Sequence, residues 1–357
     1  MTQPSGKNLR FERVTKSFGS VNVLCDTDIE IKAGEFMTLL GPSGSGKSTL
    51  LNIAAGYLEP TSGSVFIGDR DVTNVPARHR QIGMVFQNYA LFPHMTVEQN
   101  VAYGPTVQKV KKADIKRRVT EALATVQMQE FANRSIQALS GGQRQRVALA
   151  RAIAVEPDVI LMDEPLGALD RQLRKDVQLE IRRLHEKHGR TTIYVTHDQE
   201  EALVMSDRIA VMRDGKIVQV GAPKDLYSRP DSAFIASFLG ESNLIEGVVT
   251  SRSDSHAVLR SDVLNQEFKA PCASGVAEGE TAALVIRPEH VSVSSDSGLF
   301  AASLLEAVFL GEIEARRLAL EDGTEFWSRR MAAELGAQSD KLWVNWSEER
   351  ARIVPMT

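Results

Sequence analysis

Nine residues, Gly41-Pro42-Ser43-Gly44-Ser45-Gly46-Lys47-Ser48-Thr49, constrain this chain more than any other stretch. They fit G-x-x-x-x-G-K-[ST], a loop that cradles phosphates between a strand and a helix. Phe36 to Leu40 reads as the buried strand before it, and Leu50 to Ala55 as the helix after it. Gly41, Gly44 and Gly46 allow backbone N–H groups to turn inward around a polyphosphate. The helix start adds unpaired donors and the positive end of its dipole. Lys47 is expected to reach the β- and γ-phosphates, and the Ser48 hydroxyl to ligate Mg²⁺. The loop predicts a nucleotide; the rest of the chain must say what the nucleotide does.

At 357 residues the chain exceeds one small domain, and two is the natural expectation. A net charge of -4 gives no electrostatic reason to bind nucleic acid. Cys25 and Cys272 stand far apart without a C-x-x-C, which excludes a cysteine zinc site and suits a reducing cytoplasm. No apolar stretch approaches the roughly 18 residues of a membrane span. A soluble chain is expected, linked to any membrane through a partner.

Three apolar runs close on polar residues. Ile82 to Phe86 ends at Gln87, Val159 to Met162 ends at Asp163-Glu164, and Thr192 to Thr196 ends at His197. In an open α/β sheet the ligand crevice lies at the carboxyl ends of the strands. Gln87 there is a crevice residue or a solvated loop residue. Asp163 and Glu164 fit an acid that organises Mg²⁺ and a base that polarises water. Between them, residues 88–156 read as a helical insertion, with Thr96 and Gln99 capping a helix through Tyr103. Leu139-Ser140-Gly141-Gly142-Gln143 opens a further helix with Ser140 as N-cap. Phe18, at the end of a strand, either stacks on a base or packs in the core. Beyond Gly240 short strands and the Asp322-Gly323 hairpin signal predict a small β-rich, barrel-like domain.

Taken in order, the phosphate loop, Gln87, Leu139–Gln143, Asp163-Glu164 and His197 resemble an ATP-binding-cassette (ABC) ATPase over residues 8–238. The resemblance implies an α/β P-loop NTPase domain with a helical subdomain at 88–156. It implies ATP and Mg²⁺ as ligands, bound by Phe18, by Gly41 to Thr49 (Ser43, Ser45 and Thr49 included), and by Ser140, Gly141, Gly142 and Gln143. Ser48, Gln87 and Asp163 would serve the metal. Glu164 would be the general base, with His197, Gln87 and Lys47 completing the catalytic set. Gly167-Ala168-Leu169-Asp170 corresponds to the D-loop. Phe18 stands where tyrosine is common, and Gly167 where a hydroxyl or amide residue is common.

Residues 241–355 resemble the OB-like TOBE domain of bacterial importer ATPases, through Ile286-Arg287-Pro288-Glu289-His290-Val291 and Val308-Phe309-Leu310-Gly311. The stretches Gln87–Val97 and Tyr194–Ala202 are similar to the importer branch serving polyamines and ferric iron, with polyamines preferred. The implied partners are a second copy of the chain, two integral-membrane permease subunits and, indirectly, a solute-binding protein, with no nucleic acid. The implied place is the cytoplasmic face of the plasma membrane. The competing class is a soluble ABC regulator or sensor ATPase acting through the β domain.

Overall fold

The computed structural model describes residues 6–167, 169–332 and 342–357. They group into two compact units divided between Pro223 and Lys224. The two short helices at 223–238, counted with the first unit in the sequence reading, group with the second.

In the first unit β1 (Leu9–Phe18) and β2 (Val21–Ile31) form a long antiparallel pair. β3 (Phe36–Leu40) runs through the phosphate loop into α1 (Lys47–Ala55). β4 (Ser62–Ile67) and β5 (Arg70–Asp71) return to β1 and complete a four-stranded antiparallel sheet. β6 (Ile82–Val85) leads into the helical block of α2 (Val97–Val107), α3 (Lys112–Thr125) and α4 (Gly141–Ala154). Then follow β7 (Val159–Asp163), α5 (Arg171–His188), β8 (Thr191–Thr196), α6 (Gln199–Met205), β9 (Arg208–Arg213) and β10 (Lys216–Gly221).

Among the described residues the main sheet has the order β10-β9-β3-β8-β7-β6, parallel throughout except at β10. Every residue of β3 and of β8 is buried, which is why both read as unbroken apolar-rich runs rather than as alternations. The register pairs Leu40 with Thr196, Asp163 with Val195, and Val85 with Met162. It therefore brings the carboxyl ends of β3, β8, β7 and β6 to one edge, where the phosphate loop, His197, Glu164 and Gln87 follow.

The Thr96/Gln99 capping box forms as expected. α2 continues past Tyr103 to Val107 with Pro105 buried inside it. The basic run from Lys109 starts outside the helix, because Lys109 takes a left-handed φ of 57° and the next helix opens at Lys112. Val119, Ala122 and Leu123 of α3 then turn into the core, leaving the charges outside.

Arg80 is the buried pin of the phosphate-binding element. Its guanidinium donates to Ile53 O (2.6 Å), which the C-cap Gly56 N–H also reaches at 3.2 Å, and to Ala54 O (2.9 Å), both carbonyls at the end of α1. It also donates to Val75 O (2.6 Å) and Thr73 O (3.0 Å). Arg80→Met keeps the stem and strands the carbonyls of Ala54, Val75 and Thr73, so unfolding free energy should fall by about 3 kcal/mol. Urea titration checks this; a midpoint unchanged from wild type would refute the pinning role.

In the second unit α7 (Pro223–Ser228) and α8 (Ala233–Phe238) precede the strands. β11 (Asn243–Arg252), β12 (His256–Ser261), β13 (Gln266–Pro271) and β14 (Thr281–Ile286) are followed by β15 (Ser292–Ser294) and β16 (Phe300–Phe309). β17 (Ile313–Leu320), β18 (Glu325–Met331), β19 (Leu342–Asn345) and β20 (Ala351–Pro355) complete it. The sheets run β13-β12-β11-β14-β20 and β15-β19-β16-β17-β18. A bridge from Cys272 to Ile353 joins the two edges of the first sheet, the barrel-like closure expected from the sequence. Trp346 stacks with Phe326 and Phe300 and packs at a tilt against Phe268 in this core. Arg287 is buried at the end of β14. It donates to the carbonyls of Tyr227, Ala236 and Gly240 and to Ser242 Oγ, which ties α7 and α8 to the sheet.

Candidate nucleotide site

The phosphate loop has the geometry its sequence demands. Gly46, the N-cap of α1, sits at φ 99°, and a Cβ there would lie 2.7 Å from Leu24 Cδ2 and 2.9 Å from Val23 O. Only glycine fits both the torsion and the space. A Cβ at Gly41 would run into the Met212 carbonyl. Lys47 is buried, and its ammonium folds back to donate to Gly41 O (2.7 Å) and Pro42 O (2.9 Å). Burial lowers its pKa, while the carboxylates of Glu164 and Asp163 act the other way. Ser45 Oγ is buried among these residues without a hydrogen-bond partner, an orphaned polar atom facing a loop built for oxyanions.

Around the loop the strand-end residues converge. Ser48 Oγ donates to Asp163 Oδ1 at 3.2 Å. His197 Nδ1 lies 3.2 Å from Glu164 Oε1, and Gln87 Nε2 lies 3.5 Å from Glu164 Oε2. Glu164 therefore stands between the ends of β6 and β8, with its side chain 22% exposed and open to water. Its backbone takes φ 42°, a left-handed torsion rare outside glycine, held by its N–H donating to Val195 O at 3.0 Å. Such strain persists where surrounding structure over-determines it. Here it turns the carboxylate out of the line of β7. Burial raises the pKa of Asp163, with the Glu164 charge adding to the effect and Ser48 and Lys47 opposing it. A cation at this point would relieve that cost.

The residues present fit Mg²⁺. The convergent donors are a hydroxyl and one carboxylate, all oxygen, and the described residues hold no cluster of three or more His, Cys, Asp or Glu side chains. Mg²⁺ characteristically takes one or two protein oxygens and fills its octahedron with water and phosphate.

The signature stretch opens α4. Ser140 N-caps α4 in a full capping box with Gln143. Its helix start carries donors toward no phosphate loop residue of the same chain among the described contacts. Phe18 is 50% exposed, so the core-packing alternative does not hold for it. Lys16 Nζ sits 5.0 Å from the centre of its ring. Gly167 N–H donates to Glu164 O at 3.3 Å, Asp170 caps α5 through Leu173 N, and Ala168 lies outside the described residues.

Three contributors had no sequence signal. Arg151 on α4 donates to Tyr89 O (2.7 Å) and Ala90 O (2.6 Å), fixing two consecutive left-handed residues just after Gln87. Glu201 is buried and accepts from Tyr194 OH and Thr196 Oγ1, both at 2.7 Å, setting α6 against β8 beside His197. Asn100, fully buried, accepts from Phe92 N and donates to Phe92 O and Thr96 O, so the loop at 92–96 has a fixed shape.

A nucleotide crevice of this construction, strand-end acids beside a phosphate loop with a second capped glycine motif on a helical block, defines a P-loop ATPase of the cassette type. Residues 24–167 match the ABC transporter family, and residues 284–354 the TOBE domain. The spermidine/putrescine import ATP-binding protein PotA of Marinobacter nauticus is 46% identical over 89% of this chain and 86% of its own length. PotA of Mesorhizobium japonicum is 43% identical over 92% and 91%. Among solved structures, cbiO1 of Clostridium perfringens, part of the ABC transporter complex cbiONQ, matches at TM-score 0.58 with 29% identity, covering 62% of this chain and 90% of its own. The dimeric MJ0796 cassette bound to ADP and Pi matches at 0.53 with 35% identity, over 60% and 98%. The chain belongs to the ABC transporter family, as an ATP-binding subunit with a C-terminal TOBE domain. Among the described residues no helix is long and apolar enough to cross a membrane.

Proposed function

We propose that this chain is the ATP-hydrolysing subunit of an importer for spermidine and putrescine. It works as a homodimer on two permease subunits at the cytoplasmic face of the membrane, fed by a solute-binding protein. The supporting observation is the arrangement of Lys47, Ser48, Gln87, Asp163, Glu164 and His197 around one crevice, while Ser140 to Gln143 cap α4 and share no hydrogen bond with them among the described residues. A site so divided is completed by the signature of a second copy. The polyamine assignment rests on the named relatives and on the Gln87–Val97 and Tyr194–Ala202 stretches.

In this reading the loop N–H groups and Lys47 hold the phosphates and oppose charge that develops on them. Ser48 and Asp163, with Gln87 beside them, would hold Mg²⁺, which would supply further positive charge to the phosphate oxygens. Glu164 accepts the proton of the attacking water, and His197 and Gln87 fix the carboxylate from its two sides. The helix start at Ser140 offers N–H donors to the nucleotide of the partner copy. Phe18 presents its free ring face to adenine. Phe18→Ala should weaken ATP binding by about 0.5–1.5 kcal/mol, and Phe18→Tyr should be tolerated. Unchanged affinity in folded Phe18→Ala protein would end the stacking role.

The whole assignment is tested in cells. A strain deleted for this gene should lose uptake of labelled spermidine and putrescine, restored by the wild-type chain and not by Glu164→Gln. Loss of ferric iron uptake with intact polyamine uptake would overturn the substrate. Intact uptake of every solute would favour the soluble regulator class.

A further inference from the structure

The first unit holds a cavity of about 150 Å³ that the nucleotide chemistry does not use. It lies between the helical block and α5. Leu149 and Ile153 of α4, Ile160 and Met162 of β7, and Ile181 and Leu184 of α5 form an apolar floor. The two long walls are α4, capped by Ser140, and α5, capped by Asp170. A void of this size lined by aliphatic side chains suffices for one aromatic ring.

The mouth is polar. Arg118 lines it with only 19% of its side chain exposed; Nη2 pairs with Glu156 Oε2 at 2.7 Å, but Nε is buried with no hydrogen-bond partner. The carboxylates at the mouth are already engaged, Glu156 by Arg117 and Arg118, and Glu121 by Arg117. Arg190 and His188 line the other side, and burial together with Lys187 and Arg190 lowers the His188 pKa. The two arginines and two carboxylates of the lining balance in number, but the carboxylates are already paired, which leaves the Arg118 Nε–H as a donor without an acceptor.

We propose that this cavity binds a small hydrophobic carboxylate, its ring or branched chain on the Leu149–Ile181 floor and its carboxylate at Arg118 Nε. A neutral apolar occupant fills the floor and leaves the Arg118 N–H without an acceptor, which costs affinity. An acid of the same shape meets both demands. A cationic ligand such as a polyamine is disfavoured by the arginines.

The probe is 4-fluorobenzoate, followed by ¹⁹F NMR on the full-length chain, with 4-fluorobenzamide as the neutral match. Saturable broadening of the benzoate resonance is expected, with the benzamide binding at least about tenfold more weakly, since charge-assisted hydrogen bonds are roughly twice as strong as neutral ones. Leu184→Trp, which fills the floor, should abolish binding of both. Arg118→Met should weaken the benzoate to the level of the benzamide and leave the benzamide unchanged. Carboxylate binding should also raise the His188 pKa in a proton titration. Absence of saturation overturns the proposal, as does benzoate binding that survives Leu184→Trp or ignores Arg118→Met. Thermal melting and basal ATP hydrolysis confirm that each variant is folded. Should Leu184→Trp not fold, Ile153→Phe blocks the same floor from α4.

Discussion

Glu164→Gln should bind ATP and turn it over at least about 10²–10⁴-fold more slowly than the wild type. The substitution keeps the size of the side chain and its place between His197 Nδ1 and Gln87 Nε2, at 3.2 and 3.5 Å. An amide cannot accept the proton of water at neutral pH, so binding persists while chemistry stops. With hydrolysis blocked, the ATP-bound dimer should accumulate and elute as such on size exclusion. Hydrolysis near the wild-type rate would remove Glu164 from the role of base.

Leu91→Ala combined with Phe92→Ala should leave basal ATP hydrolysis of the isolated chain largely intact and prevent its co-purification with the permease. The loop after Gln87 carries more apolar surface than a solvated loop needs. Phe92 packs on Tyr103 with ring centres 4.5 Å apart, Tyr103 is 43% exposed, and Tyr57 beside Phe86 is 58% exposed. Such a surface suits a short amphipathic permease helix. Anchors of that kind often carry about 2 kcal/mol or more each, so losing two should dissociate the complex. The loop should keep its shape, because Asn100 grips the Phe92 and Thr96 main chain rather than their side chains. Tyr89, in the same loop, is buried and belongs to the core. Assembly and transport at wild-type levels would place the docking surface elsewhere.

The phosphate loop, the ends of β6, β7 and β8, and the caps of α2 and α4 were legible because each is a local device. A glycine torsion, a strand terminus or a capping box is completed by residues within a few positions of one another. The turn between β9 and β10 is also a local device, with Asp214 and Gly215 at positive φ, 49° and 76°. Phe18 was legible only as two alternatives, since whether a strand-end ring is covered depends on neighbours from elsewhere in the chain.

By itself, then, the sequence determined a phosphate-binding P-loop, the polar residue that closes each buried strand, and a β-rich second part. Each follows from short-range sterics and from period. Tertiary structure alone decided which distant groups these devices would lean on. Arg80 reaches back 27 and 26 residues to finish α1, Arg151 reaches 61 and 62 to hold the turn after Gln87, and Arg287 reaches 51 to hold α8. An arginine reads in sequence as surface charge. Only the fold shows that burial has left carbonyls without donors, and that one guanidinium, with its several fixed N–H groups, satisfies them together.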